Sequence, residues 1–384
     1  MSILPDPALS PEARLLLRAA SGGDVDEALV SDVDGTRLLA LAERHRMIPL
    51  LHRHLRGAAL PPSAAAELRA RNAAEAHRAL RLAGEARRLL DALSGDGIEA
   101  LVYKGPALAV QAYGDLALRS FIDLDLLVRP ADVPRAIGVL AGAGYAAALE
   151  MSPAQERCFR RIDGDYPLVH RETGTLVELH ARVSSLRFAM PIDTGALMRR
   201  SRLVAVGGGA VRTLGDDDLL LVLLVHGAKH RWKRLEWLAA VAALLRAGRG
   251  DVATVLARAT ELHARRTVLL GLHLTQTLLG APLSAAVERE IAADGGVAAL
   301  AGGAAARLFG PEPADGAGET RANLRFNLRL RDGAADRARS VARWLFGPGP
   351  EDWKWRPLPD ALFPLYRVLR PLRLLARHGR AGAR

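Results

Sequence analysis

Residues 104–130, KGPALAVQAYGDLALRSFIDLDLLVRP, set Asp123 and Asp125 between leucines in a stretch that reads as a buried strand. Alternate side chains of a strand share a face, so the two carboxylates project one way while Leu124 and Leu126 enter the core. Burying a carboxylate costs several kcal/mol unless a cation or hydrogen bonds compensate, so something positive belongs beside this pair. Magnesium suits it, because that ion takes carboxylate oxygens together with water and substrate phosphates. The same alternation in TLVELHARV puts Glu178 and His180 on one face and Val177 and Leu179 on the other, making Glu178 a third acid. Three acids on adjacent strands can hold two metal ions that activate an attacking hydroxyl and stabilise the departing pyrophosphate of a nucleoside triphosphate. Lys104-Gly105, at the end of the preceding strand, offers an ammonium and backbone N–H groups to phosphates. Arg119 is placed to neutralise charge or to anchor its loop.

Other candidates are weaker. In VHGAKHRWK, His226, Lys229 and His230 fall within one helical turn of each other. The two histidines could ligate a transition metal, but no glutamate completes a zinc-protease pattern and a solvated helix face is an equal reading. If this helix borders a cleft facing the acids, Lys229 grips a triphosphate. His180 reads as a support hydrogen-bonded near the metal, Trp232, Trp237, Tyr103 and Tyr113 as packing, and Cys158 as inert. The D-x-D spacing recurs at Asp24/Asp26 and Asp32/Asp34, where helix caps are the ordinary explanation. DVDGT also resembles the nucleophile motif of haloacid dehalogenase phosphatases, but the helical run after it lacks that fold's α/β repeats, leaving Asp34-Gly35-Thr36 as a turn and cap.

The elements around these residues follow from periodicity. Residues 1 to about 94 read as helices, with a start at Ser10-Pro11-Glu12 and one long helix from Ser63 to the breaker SGDG. Strands are expected at IEALVY, FIDLDLLV, YPLVH and TLVELHARV, with helices near 106–113 and 131–142 between them. After the glycine-rich turn VGGGAV, GDDDLLLVLLVHGAKH opens a run of further helices, its first turn acidic. Residues 295–320, rich in Gly, Ala and Pro, read as a loose connection.

The bulk composition sets limits. The 384-residue chain has a formal net charge of +11 carried almost entirely by arginine, which favours anionic partners without selecting one. Its single cysteine excludes an intramolecular disulfide framework or a multi-cysteine zinc site and fits a reducing cytoplasm. Neither an export signal nor a transmembrane stretch is legible. The terminal LYRVLRPLRLLARHGRAGAR alternates arginine with leucine and could lie on an acidic surface, but such a stretch ordinarily packs its leucines and leaves its arginines in water. Pro371 is expected to interrupt it.

LVYKGPALAVQAYGDLALRSFIDLDLLV resembles the signature of the uncharacterised nucleotidyltransferase family of the polymerase-β-like superfamily, with its KG turn and R-x-x-x-D-x-D-L-L-V strand. ALAERHRMIPLLHRHL, LVELH, HGAKHRWKRLEWL and the tail EDWKWRPLPDALFPLYRVLRPLRLL are similar to other parts of that family. The resemblance implies a metal pair at Asp123 and Asp125, a third carboxylate at Glu178 and a nucleotide-side turn at Lys104-Gly105, where the wider superfamily more usually has Gly-Gly or Gly-Ser.

The expected architecture is α+β: a small mixed sheet within 95–214, an N-terminal helical region over 1–94, a helical lobe over 215–294, and a connection with a basic helical tail over 295–384. The expected activity is magnesium-dependent transfer of a nucleoside monophosphate, AMP from ATP, to a hydroxyl of a small molecule or protein. The competing readings are a non-catalytic nucleotide-binding scaffold on the same fold and a basic nucleic-acid binder. The latter is disfavoured because the arginines lack interleaved aromatics.

Overall fold

The computed structural model describes residues 9–23, 27–57, 60–188, 190–310 and 317–379, so Asp24 and Asp26 lie outside the described residues. Ser10 caps the Pro11–Ser21 helix by accepting from the Ala13 N–H, and Asp34 caps Gly35–Arg44 by accepting from the Thr36 and Arg37 N–H groups. Proline at the first turn starts the 34-residue helix Pro62–Gly95, whose Ala, Leu and Arg content sustains it.

This long helix leads into a five-stranded mixed sheet of β1 (Ala100–Val102), β2 (Asp123–Val128), β3 (Tyr145–Ala147), β4 (Asp165–His170) and β5 (Leu176–His180). The strand order is β1-β2-β5-β4-β3, with β2 and β5 parallel and the other neighbours antiparallel. A separate hairpin, β6 (Arg202–Val206) and β7 (Gly209–Thr213), forms at the glycine-rich turn. β3 and the Pro153–Ile162 helix were not anticipated from periodicity, whereas Gly105–Tyr113 and Val133–Gly142 fall where helices are expected.

Strand alternation divides the sheet between two cores. Val102, Leu124, Leu126, Val177 and Leu179 pack with Leu82, Ala86 and Leu89 of the long helix. Leu101, Tyr103 and Leu127 face the other way and join the core of the helical lobe, built from Asp216–Lys229, Leu235–Arg246 and Arg265–Leu279. Trp232 is fully buried inside the lobe. A β-carbon added at Gly227 would overlap its indole, and one added at Gly271 would lie 2.7 Å from it.

Two expectations fail, wholly or in part. Gly295–Phe309, read as loose connection, is a helix. Its Val297, Leu300, Ala301, Ala304, Ala305 and Leu308 recur at helical spacing and are buried against the lobe, so the small residues permit close packing instead of looseness. The C-terminal helix Tyr366–Gly379 meets expectation in part, since Leu369 and Leu374 pack on the core and Arg367 is exposed. Arg370 and Arg373 are also drawn inward, both pairing with Asp352, which is 1% exposed, while Leu372 and Leu375 lie in solvent. One buried carboxylate gains more from two guanidinium partners than leucines gain by displacing them, because an unpaired Asp352 would be costly. The helix runs through Pro371, whose missing hydrogen bond falls on the carbonyl of Arg367, an exposed residue open to water.

Candidate active site

Parallel pairing of β2 with β5 aligns Asp125 with Glu178 and Leu127 with His180, while antiparallel β4 aligns Asp165 with His180. The acids therefore share the sheet face turned toward the helical lobe, and a cleft of about 340 Å³ opens between them and the end of Asp216–Lys229. Asp123, Asp125, Glu178, His180, Lys104, Arg119, His226, Lys229 and His230 all line it. Gly105 does not. It begins the Gly105–Tyr113 helix at φ 50°, a left-handed conformation that side chains rarely adopt, and so turns the chain directly after Lys104.

The positive group demanded by the buried carboxylates is Lys104. Its Nζ lies 2.6 Å from Asp125 Oδ1, and Nε2 of His180 lies 3.1 Å from the same oxygen and 3.3 Å from Glu178 Oε2. Burial alone would raise the Asp125 pKa, but Lys104 and His180 outweigh it and hold the carboxyl far below its usual range. Burial likewise works against a charged His180, yet hydrogen bonds to Asp125 and Glu178 raise its pKa above the ordinary value. The same His180 bond lowers Glu178. Asp123 moves up, driven by burial and then by repulsion from Asp125 and Glu178.

An oxygen-preferring divalent ion fits this donor set. Ligand atoms of Asp125, Glu178 and His180 lie within 4.8 Å of one another, and the repulsion felt by Asp123 is what a divalent charge would relieve. His180 converges with the acids and bonds both Asp125 and Glu178 through Nε2, in keeping with the supporting role read from sequence.

On the lobe side, the His226 and His230 rings meet at a tilt of 57° with centroids 4.7 Å apart, and each packs against Trp237. Both histidines are half-buried along the cleft and, among the described residues, form no part of a metal-ligating group. Burial with Lys229 nearby lowers His230 to about 3 and His226 well below its ordinary value, so both are neutral. Trp232 and Tyr103 pack as expected, Tyr103 meeting the His180 ring edge-on at 5.4 Å, and burial raises the Cys158 thiol pKa.

Several cleft residues escape sequence reasoning. Glu236, 4% exposed, stands between Arg119 at 3.7 Å and Arg46 at 3.8 Å. Arg46 holds φ 55° just before the Ile48–His54 helix, and Arg231 and Trp232 share that conformation in the turn carrying Lys233 into the cleft. Asp165 follows the turn Asp163-Gly164, and Asp163 is clamped by Arg187, with Nε at 2.7 Å and Nη2 at 2.9 Å. Arg187 also donates to the carbonyls of Gly347 and Pro348, tying the C-terminal region to the cleft rim. Only the pairing of β4 with β5 would have indicated Asp165, and no local pattern indicates Arg46 or Glu236.

A mixed sheet with acids on two parallel neighbouring strands, closed by a cation-bearing helical lobe, defines a nucleotidyltransferase-like α+β fold. The uncharacterised nucleotidyltransferase family matches residues 31–280, and the chain belongs to it; it is a transferase enzyme. No curated protein and no solved structure matches the chain.

Proposed function

We propose that this enzyme transfers a nucleoside monophosphate, AMP from ATP, to a hydroxyl of a small-molecule or protein acceptor. The observation that carries the reading is the alignment of Asp125 with Glu178 across parallel strands, with Asp123 on the same face and Lys104, Arg119 and Lys229 in the same cleft. The acceptor hydroxyl gives up its proton to solvent, its oxygen bonds to the α-phosphorus, the bond from that phosphorus to the bridging oxygen breaks, and pyrophosphate leaves. Asp123, Asp125 and Glu178 are the residues that would hold magnesium, with acids enough for two ions, and His180 would orient Asp125 and Glu178 by hydrogen bonding. Bound there, the metal would acidify the attacking hydroxyl and neutralise the leaving group. Lys104, Arg119 and Lys229 grip the phosphates, Glu236 orients Arg119 and Arg46, and Glu178, with a side chain 37% exposed, meets the entering acceptor. Magnesium and a nucleoside triphosphate, with the lone Cys158, fit work in the cytoplasm; among the described residues no helix is long and apolar enough to cross a membrane.

The test has two stages. ATP should raise the melting temperature only with magnesium, and Asp123→Asn should abolish that shift; a shift surviving either omission contradicts the site. Labelled ATP in a cell extract should then mark a discrete acceptor, with pyrophosphate released in proportion. Nucleotide binding with no transfer to any acceptor would select the non-catalytic reading, which the pre-paired Lys104 and Asp125 favour by stabilising the cleft without an ion.

A further inference from the structure

The C-terminal helix presents an apolar face to solvent while Tyr366, Leu369, Arg370, Arg373 and Leu374 anchor its other side. Tyr366 is buried, its hydroxyl donating to the Arg356 carbonyl and accepting from the Leu358 N–H. Arg370 donates to the Trp344 carbonyl and to Asp352, Arg373 donates to the other Asp352 oxygen, and Leu374 is buried. Residues 366, 370, 373 and 374 occupy one side of a helix, so the opposite side has a fixed outward orientation.

That side carries Leu365, Val368, Leu372 and Leu375, exposed by 48%, 63%, 53% and 70%, and Leu362 in the preceding turn is 46% exposed. Single exposed leucines are ordinary, but a stripe at spacings of three and four on a rigid helix marks a surface that something covers. The charge around it narrows the occupant. Arg367 is exposed on the flank of the stripe, Lys354, Trp355 and Arg356 are exposed in the adjoining segment along with Glu351 and Asp360, and beyond Asp360 the sequence contains arginines and no acid. Two copies of this face would bring their arginines together and repel. We propose that it lies on an anionic lipid bilayer, with leucine and valine entering the acyl boundary and the arginines at the headgroups. The arrangement is interfacial, since the helix is too short and too charged to span.

The experiment sediments the full chain with phosphatidylcholine vesicles with or without phosphatidylglycerol. The protein should pellet with the anionic vesicles and not with phosphatidylcholine alone, and added salt should weaken binding. Val368→Ser combined with Leu372→Ser and Leu375→Ser should reduce vesicle affinity roughly tenfold or more, with the melting temperature unchanged because all three sites are exposed. Arg367→Glu should weaken binding with the stripe intact. The proposal fails if anionic vesicles leave the protein in solution, if the triple variant pellets like the parent, or if light scattering reveals a dimer that the triple variant dissociates.

Discussion

At Asp125, the Lys104 ammonium sits on a carboxylate oxygen that an incoming divalent ion would also seek. The two cations substitute for one another electrostatically, so a protein lacking one should lean on the other. Lys104→Met should destabilise the metal-free protein by about 3 kcal/mol, the usual consequence of stranding one partner of a buried ion pair. Magnesium should then recover more stability in the variant than in the parent, measured by urea unfolding with magnesium or with a chelator. Equal recovery in both would mean that the ion does not reach this oxygen. At this scale the strand alternation made Asp123, Asp125, Glu178 and His180 legible, because a period of two fixes which side chains face together. Glu236 and Arg46 stayed hidden because each belongs to a helix terminus whose partner is distant in sequence, and nothing in their neighbourhoods encodes that meeting.

Among elements, the N-terminal helices are joined to the lobe by a histidine. His45 is fully buried and its Nδ1 accepts from the Leu235 N–H, satisfying one of the unpaired donors at the start of Leu235–Arg246. Burial, reinforced by Arg44, lowers its pKa to about 4. The unfolded chain takes up a proton near pH 6.5 while the folded one resists until about 4, so stability present above 6.5 is lost as pH falls through that window, by up to about 3 kcal/mol. Denaturation curves from pH 7 downward should therefore be steeper for the parent than for His45→Gln, and identical slopes would remove His45 from the linkage. Long, periodic helices and alternating strands were readable in the sequence, while β3 was not. Its three residues acquire strand character only by pairing with β4. Gly295–Phe309 was misread because glycine and alanine content suggested looseness, although its apolar spacing was present to be counted.

For the molecule as a whole, a count of 53 lysines and arginines overstates the cationic surface. Arg200 and Arg258 are tied to Asp218, Arg370 and Arg373 to Asp352, and Arg266 to Asp294. Composition alone could not separate arginines that hold elements together from those that meet an anion. Nor could it show that the Trp232 indole lies where side chains at Gly227 and Gly271 would be. Gly227→Ala should cost about 1–3 kcal/mol through overpacking and shift the Lys229 wall, weakening ATP binding while a substitution in β6 does not. Unchanged affinity by calorimetry would refute this. The indole thus behaves as a shim between two plates: a lineage could regauge its grip on a phosphate chain by trading volume behind the wall, leaving every acid in place.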